Sequence, residues 1–171
     1  MRTVRTERLV LEPQTASHAE EMFGVLSDPA IYEYENAPPR SLEWLRKRFA
    51  KLETRRSPDG TEHWLNWVIR IPTSELIGYV QATVHPDGHA AIAYELASRF
   101  WGRGLARAAV EAMVSALEED YGVRRLSAVF KRRNHRSQRL LERLGFSPAT
   151  PQLHAELGAE PDEMLMLKDP I

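Results

Sequence analysis

Apolar residues recur at two different spacings along the chain, and each spacing predicts one kind of element. Three stretches, 64–71, 76–84 and 90–96, are apolar and β-prone, and a Pro-Asp-Gly turn at 86–88 separates the last two. They predict three strands joined as antiparallel hairpins. Elsewhere apolar residues return every three or four positions, which predicts helices with one buried face. These positions are Ala19, Met22, Phe23 and Leu26, then Leu42, Leu45, Phe49 and Leu52, then Leu105, Ala109, Ala112, Met113, Ala116 and Leu117, then Leu140, Leu141 and Leu144.

Residues that favour turns and helix ends mark the boundaries of these helices. A serine at 17 with a glutamate at 20 has the pattern of a capping box, and Asp-Pro at 28–29 ends the first helix. Ser41 is predicted to open the second helix. Asn134 is a favourable N-cap for the last helix, and Gly145 is placed to end it.

Three further β-prone segments, at 8–11, 126–130 and 164–167, complete the predicted elements. The order along the chain is β-α-α-β-β-β-α-β-α-β, without internal repeats or a low-complexity linker. This order predicts an α+β fold with a mixed sheet. The length of 171 residues fits a single domain over 1–171.

Composition and charge exclude several classes of protein. The formal net charge of −1 argues against a nucleic-acid-binding protein, although Lys131-Arg132-Arg133 and 46–48 are basic clusters. The absence of cysteine excludes disulfides, a thiolate metal site and a cysteine nucleophile. Segment 1–12 is charged throughout, and no apolar run approaches the roughly 20 residues of a membrane span. We therefore predict a cytoplasmic protein that binds neither nucleic acid nor a membrane and holds no metal.

The segment 96–106 carries the strongest chemical signal. An apolar strand ends there, Gly102 and Gly104 flank Arg103, and an alanine-rich helix begins at once. The unpaired N–H groups and partial positive charge of a helix N-terminus attract phosphate, and glycine lets a large anion approach the backbone. Arg103 and Arg107 would add charge. By itself, the turn is equally consistent with a strand-to-helix connection that needs glycine only for tight packing.

This turn resembles the pyrophosphate loop of the GNAT superfamily of acyl-CoA-dependent N-acetyltransferases. In that family the loop has the form Gln/Arg-x-x-Gly-x-Gly/Ala, and Gly104 and Ala106 match its last fixed positions. Trp101 stands where Gln or Arg is usual, which is similar to the branch that includes ribosomal-protein N-terminal acetyltransferases. Three further segments resemble the opening strand, a mid-sheet strand and the closing helix of that branch: 6–11, 76–79 and 134–146.

The resemblance implies a GNAT-like fold and acetyl-CoA as cosubstrate. The sheet would be mixed but mostly antiparallel, with about six to seven strands and about four flanking helices. It would splay between parallel strands at 90–97 and 126–130, and the pantetheine arm of acetyl-CoA would lie in the splay. The residues predicted to bind acetyl-CoA are Leu96, Ala97, Ser98, Trp101, Gly102, Arg103, Gly104, Leu105, Ala106, Arg107 and Asn134. Asn134 fits a plain helix cap equally well.

The reaction that the resemblance implies is direct attack of a primary amine on the thioester. Alternation along 90–97 puts Glu95 on a face of alanines beside the predicted thioester, which makes it the first candidate for the general base. A solvated or structurally paired carboxylate fits the same pattern. His63, His85 and Glu33 are weaker candidates for the base.

The group that protonates the leaving thiolate is a second question. Many family members use a tyrosine of the closing helix, and Leu141 occupies the matching position here. The branch that this chain resembles implies Ser137 as the donor instead, and Asn134 would face the acetyl group as the third catalytic candidate. Ser137 equally fits the role of a small residue that lets the cosubstrate approach closely.

The acceptor side is predicted to be lined by the loop 31–39 and the strand segment 64–67. Tyr32, Tyr34, Trp64 and Asn66 would contact the acceptor, and Glu33 and Glu35 would attract a cationic amine. Core packing and a solvated loop are the alternatives for these residues. The acceptor is either a protein N-terminal α-amine or a small-molecule amine, and a homodimer is compatible with the sequence. The alternative function is a non-catalytic acyl-CoA-binding or regulatory module of the same fold.

Overall fold

The computed structural model describes residues 1–34 and 36–169, and within them eight strands form a single sheet. The third, fourth and fifth strands are the hairpin series that the sequence predicts. The strands are β1 (Val4–Arg5), β2 (Val10–Pro13), β3 (His63–Arg70), β4 (Leu76–Val84), β5 (His89–Leu96), β6 (Arg125–Lys131), β7 (Ser147–Pro148) and β8 (Glu163–Lys168).

The sheet is antiparallel except at one place near its middle. Its order is β1-β2-β3-β4-β5-β6-β8-β7, and only the β5–β6 pair is parallel within the described ranges. That pair is short, because it joins His89 to Arg125, Ala90 to Leu126 and Ala91 to Ser127 and goes no further. Beyond these residues the two strands diverge. The predicted mixed sheet with a central splay is therefore confirmed, although it has more strands than the six to seven expected.

Five α-helices lie within the described ranges, and α1 to α4 contribute buried apolar residues to the interior of the protein. The helices are α1 (Ala19–Leu26), α2 (Leu42–Leu52), α3 (Leu105–Tyr121), α4 (His135–Arg143) and α5 (Pro151–Glu156). The helices α1 and α2 pack on each other and on β4 and β3, whereas α3 contacts β1, β2, β4 and β5. None of the helices in 1–34 and 36–169 combines the length and apolar character of a membrane span.

The long helix α3 begins and ends at glycines in the left-handed backbone region. Gly104 has φ of +72° directly before the helix, and Gly122 has φ of +64° directly after it. The Gly122 N–H donates to carbonyl groups of the last turn, which completes a C-terminal cap. The predicted start of this helix after Gly104 is confirmed.

Other differences from the prediction have local causes. The elements β1 and β7 have two residues each, which is too short for any periodicity. The predicted capping box at 17–20 is wrong, because a 3-10 turn at Ala16–His18 precedes α1. The cap therefore forms earlier, where the Thr15 N–H donates to His18 Nδ1 at 3.0 Å. The opening strand runs over Val10–Pro13 rather than 8–11.

Candidate active site

The splay between β5 and β6 opens a cleft of about 570 Å³. Its walls come from the loop before α2, from β4 and β5, from the turn before α3 and the first residues of α3, from the middle of β6, and from α4 between its N-cap Asn134 and Arg143. The residues that line it include Tyr79, Gln81, Tyr94, Glu95, Leu96, Trp101, Gly102, Gly104, Leu105, Ala106, Arg107, Asn134, Arg136, Ser137, Arg139 and Arg143.

One edge of β5 faces this cleft with its backbone groups. The Ala97 N–H donates to the carbonyl oxygen of Ile77 at 2.9 Å, toward β4. Because successive residues of a strand point their backbone groups to opposite edges, those of Tyr94 and Leu96 point toward the cleft. The ladder between β5 and β6 ends at Ala91, so β6 does not cover this part of the edge. An extended ligand with amide groups fits here as an added strand.

The turn between β5 and α3 is held in place from two sides. The Trp101 indole N–H donates to the Leu96 carbonyl oxygen at 2.8 Å, and the Arg8 guanidinium donates to the Arg103 carbonyl oxygen at 2.6 Å. Gly102 and Gly104 have φ of +73° and +72°. The turn therefore presents the first N–H groups of α3 to the cleft, and these have no acceptor within the helix. This geometry suits an anion.

Arginines of α4 add positive charge to the same cleft. Arg136, Arg139 and Arg143 follow helical spacing and all line the cleft. The guanidinium of Arg136 lies 3.9 Å from the centre of the Trp101 ring, and it also pairs with the Glu33 carboxylate at 2.9 Å. Arg136 thereby joins the loop before α2 to the turn before α3. With Arg107 at the start of α3, these side chains suit a ligand that carries several phosphates.

The beginning of α4 brings two hydroxyl groups together. Asn134 caps the helix, with its side-chain oxygen accepting the Ser137 N–H at 3.1 Å. Ser137 Oγ lies 2.6 Å from Tyr94 Oη, across the splay. Burial raises the pKa of the Tyr94 phenol to about 12. Ser137 therefore lies in the cleft at the positive end of a helix, with a protonated phenol beside it at neutral pH.

Glu95 forms a cluster with two tyrosines on the other face of β5. Tyr79 lies directly opposite it on β4, and the two side chains are hydrogen bonded. Burial, then the negative charge of Glu95, raises the pKa of Tyr79 well above its ordinary value. Burial followed by the same charge raises the pKa of Tyr32 to about 12. Both phenols stay neutral at physiological pH. The Tyr79 hydroxyl therefore donates a hydrogen bond to the Glu95 carboxylate.

Three of the residues predicted to bind acetyl-CoA are not among those that line the cleft. The N–H of Ala97 is used by Ile77, and the N–H of Ser98 donates to an Asp28 carboxylate oxygen at 2.7 Å. The Arg103 guanidinium lies 5.5 Å from the centre of the Phe100 ring. Of the predicted backbone partners at 96–98, the structure therefore turns only Leu96 toward the cleft.

Four of the predicted acceptor residues are not among those that line the cleft: Tyr32, Glu33, Trp64 and Asn66. The Tyr32 phenol donates to the Leu26 carbonyl at 2.8 Å, and the Trp64 indole donates to the Glu62 carboxylate at 2.9 Å. Asn66 is buried, with 8% of its surface exposed. Glu33 is paired with Arg136. From this loop the cleft receives Tyr34, which is among the predicted acceptor residues, together with Ile31 and Asn36, and Glu35 lies outside the described residues.

The weaker candidates for the base lie away from the cleft. His63 packs against the Tyr121 ring, and His85 pairs with Glu62 at 3.0 Å. The basic cluster at 131–133 is likewise not part of the cleft wall, and Lys131 pairs with Asp162 at 3.0 Å. Within 1–34 and 36–169, no group of three or more His, Cys, Asp or Glu side chains is arranged to hold a metal ion.

Sequence reasoning missed several residues that line the cleft. Tyr79 and Gln81 are two positions apart on β4 and therefore lie on the same face of the sheet. Their place in the cleft follows only from the hairpin register, which sets Tyr79 opposite Glu95. Arg136, Arg139 and Arg143 share one helical face, and that spacing is visible in the sequence.

A helix N-terminus whose geometry suits phosphate, set beside an uncovered strand edge in a splayed sheet, is the arrangement that an acyl-coenzyme A-dependent transferase requires. The residues present fit acetyl-CoA, with N–H groups and arginines for its phosphates and a strand edge for its amides. The family model described as "Acetyltransferase (GNAT) domain" matches residues 8–147. The chain belongs to this family, is an acetyltransferase, and its family uses acetyl-CoA.

Relatives and solved structures agree with this assignment. The N-acetyltransferase YoaA of Bacillus subtilis (strain 168), itself uncharacterized, is 28% identical over 146 residues, covering 84% of this chain and 81% of YoaA. The structure of RimL, the ribosomal L7/L12 alpha-N-protein acetyltransferase in complex with coenzyme A, has a TM-score of 0.81 at 18% identity, covering 99% of this chain and 98% of RimL. Ribosomal-protein-S5-alanine acetyltransferase from Vibrio fischeri has a TM-score of 0.77 at 20% identity, covering 99% and 97%. The two structures share the fold of this chain.

Proposed function

We propose that this protein transfers the acetyl group of acetyl-CoA directly to a primary amine, with Glu95 as the proton acceptor and Ser137 beside the leaving sulfur. One observation carries the proposal: a single cleft contains the phosphate-binding turn, the uncovered edge of β5, the Glu95 carboxylate and the Ser137 hydroxyl. These groups come from three different parts of the fold: β5, the turn before α3, and α4. Holding two reactants in one such cleft supplies on the order of 7–11 kcal/mol of the barrier at best.

The donor end of the cleft would hold acetyl-CoA by its phosphates and amides. The N–H groups at 102–106 meet the pyrophosphate, and Arg107, Arg139 and Arg143 supply positive charge around it. The backbone of Tyr94 and Leu96 pairs with the pantetheine amides. This places the thioester between β5 and the first turn of α4, where Asn134 and Ser137 line the cleft.

The acceptor amine must lose a proton as it attacks. Glu95 accepts that proton, and the Tyr79 phenol holds the carboxylate in place by donating to it. An α-amine has a pKa of about 7.7–8.0, whereas the pKa of a lysine side chain is near 10.4. A single carboxylate therefore activates a terminal α-amine more readily than a lysine. A peptide N-terminus, as in the name of RimL, or a small amine of similar basicity is the preferred acceptor.

The leaving sulfur receives its support from α4. The new N–C bond forms as the C–S bond breaks, so negative charge develops on the sulfur. The Ser137 hydroxyl and the positive end of α4 stabilise that charge by hydrogen bonding and electrostatics, so coenzyme A leaves as the thiolate and takes its proton from water afterwards. Because a thiol is acidic compared with an alcohol, hydrogen bonding to the sulfur is sufficient, and no tyrosine is required at the position of Leu141.

Release of free thiol from acetyl-CoA by purified protein tests this function. The acceptor panel contains peptides with free N-termini, their N-terminally blocked and lysine-containing counterparts, polyamines, aminoglycosides and amino acids. We expect turnover with unblocked α-amines and, for E95Q, a fall in kcat of about 100-fold. The matched control is E118Q, an exposed carboxylate of α3 that is not among the residues lining the cleft.

Two outcomes would contradict the proposal. Binding of acetyl-CoA without thiol release for any amine would make the protein a non-catalytic acyl-CoA-binding module. Turnover that E95Q leaves unchanged would remove Glu95 from the mechanism while keeping the transferase activity.

A further inference from the structure

Tyr94 and Ser137 form a contact that neither the proposed base nor the phosphate-binding turn explains. The two hydroxyl oxygens are 2.6 Å apart, although the residues are 43 positions apart in the chain. Tyr94 belongs to β5 and Ser137 to the first turn of α4, so the contact bridges the two sides of the splay. Both residues line the cleft. The Tyr94 oxygen also lies 3.5 Å from the Ser137 carbonyl oxygen.

The surroundings of Ser137 make the orientation of its hydroxyl important. A serine hydroxyl rotates about its C–O bond and donates only one hydrogen bond at a time. The Ser137 N–H is already used by Asn134. Unless a neighbour fixes it, the hydroxyl proton is free to turn toward the phenol or toward a helix carbonyl and away from the cleft.

We propose that Tyr94 is a positioning residue for Ser137: its phenol donates to Ser137 Oγ and thereby directs the Ser137 hydroxyl proton toward the sulfur of acetyl-CoA. The inference rests on the proposed function, in which Ser137 lies beside the leaving sulfur. Tyr94 itself need not touch the reacting atoms. It acts by removing the unproductive orientations of the group that does.

The surroundings of Tyr94 argue against a role for its phenol as the proton source for the leaving sulfur. Supplying that proton would leave a phenolate in a buried site, and burial raises the pKa of this phenol to about 12. A phenol that keeps its proton is a permanent donor at neutral pH. The hydrogen bond therefore persists through the reaction without a net proton movement at Tyr94.

Three variants test the inference against wild type: Y94F, S137A and the double variant. In Y94F we expect kcat to fall about 3- to 10-fold, the usual worth of one hydrogen bond, with the KM for acetyl-CoA within about twofold of wild type. In the S137A background, the same tyrosine substitution should cause no further loss, because the group that it orients is gone. The matched control is Y121F, which removes a phenol outside the cleft wall and should leave kcat unchanged.

The double-variant cycle separates positioning from a general structural role. A damaged fold would lower activity by the same factor in both backgrounds, so multiplicative losses would overturn the inference. Equal kcat for Y94F and wild type, or for S137A and wild type, would also overturn it. Multiplicative losses, or an unchanged kcat in Y94F, leave the proposed function standing, whereas an unchanged kcat in S137A also removes Ser137 from the proposed mechanism and leaves only the acetyl transfer. A wild type that releases no thiol with any amine would overturn both.

Discussion

The indole N–H of Trp101 donates to the carbonyl oxygen of Leu96 at 2.8 Å, so the last residue of β5 is tied to the turn that precedes α3. The same indole ring lies under the Arg136 guanidinium of α4. Trp101 occupies the position where Gln or Arg is usual in the pyrophosphate loop of the GNAT family. Here its ring joins the strand, the turn and α4, so the residue that departs from the family pattern holds the turn before α3 in place.

The first prediction removes only the indole N–H. We expect W101F to keep a ring under Arg136 while releasing the Leu96 carbonyl, and to weaken coenzyme A binding about 3- to 10-fold. Isothermal titration with coenzyme A measures the change. The control is W44F, which alters an exposed tryptophan of α2 that is not part of the cleft wall. Equal affinity for W101F and wild type would contradict the role given to the indole.

The second prediction concerns the effect of a large side chain at Gly104, in the turn before α3. Gly104 and Gly122 have similar left-handed backbones at opposite ends of α3. We expect G104L and G122L to lose comparable stability from the strained φ, whereas only G104L loses coenzyme A affinity, by about 10-fold or more. Thermal melting and titration are measured on both variants. Equal affinities of G104L and G122L for coenzyme A would show that its phosphates do not bind at the turn before α3.

The third prediction tests the close approach of β4 to β5 beside Glu95. A Cβ at Gly78 would collide with the Glu95 carbonyl oxygen and lie 2.8 Å from Leu96 Cα. We expect G78A to lower the free energy of unfolding by about 1–3 kcal/mol and to lower kcat, because relief of the collision moves the backbone that carries the base. Urea denaturation and the thiol-release assay measure the two effects.

Gly24 provides the control for this variant. It lies within α1, and a Cβ there would meet no heavy atom within 4 Å. We expect G24A to be neutral or to stabilise the protein by up to about 1 kcal/mol, because alanine favours a helix over glycine. If G78A had the same free energy of unfolding as G24A, β4 and β5 could move apart without loss of stability, and the prediction would be wrong.

The fourth prediction concerns pH and Asp28. The Ser98 N–H, and then the Ala30 N–H, hold the pKa of this carboxyl below its ordinary value, despite the opposing effect of partial burial. A lowered pKa means that the stabilisation is present above the unfolded pKa of about 3.9 and is lost as the pH falls through the folded value. We expect D28N to cost about 1 kcal/mol at pH 7 and nothing at the lowest pH at which both proteins fold.

Urea denaturation at several pH values between 7 and 3 measures this difference. The control is E118Q, which removes an exposed carboxylate of α3 that is not among the groups acting on Asp28. A D28N difference that persists unchanged at low pH would show that the carboxylate charge is not the stabilising group.

The long elements of the fold could be predicted because their patterns repeat several times. The helix α3 has five turns of apolar spacing with a glycine at each end, and β4 was predicted with its observed bounds. In contrast, β1 owes its place to register with Leu11 and Val10 on the next strand. Two residues carry no period, so tertiary pairing alone decides such a strand.

The acceptor side shows a different limit of sequence reasoning. Asn66 was predicted in the cleft, but register sets it opposite Gln81, which lies one strand nearer to β5 and lines the cleft in its place. Tyr32 was predicted in the same wall, but its phenol turns back to Leu26. Side-chain direction in a short loop follows from contacts distant in sequence, which no local pattern contains.

The uncovered edge of β5 has a consequence for the lifetime of the protein. A strand edge that is completed only by a bound molecule makes the folded state depend on the supply of that molecule. At a concentration of 100 times its Kd, a ligand adds about 2.7 kcal/mol to the stability of the state that binds it. Under the proposed function, a shortage of acetyl-CoA would therefore slow the reaction and also expose the protein to proteolysis, so its abundance would follow the supply of its own cosubstrate.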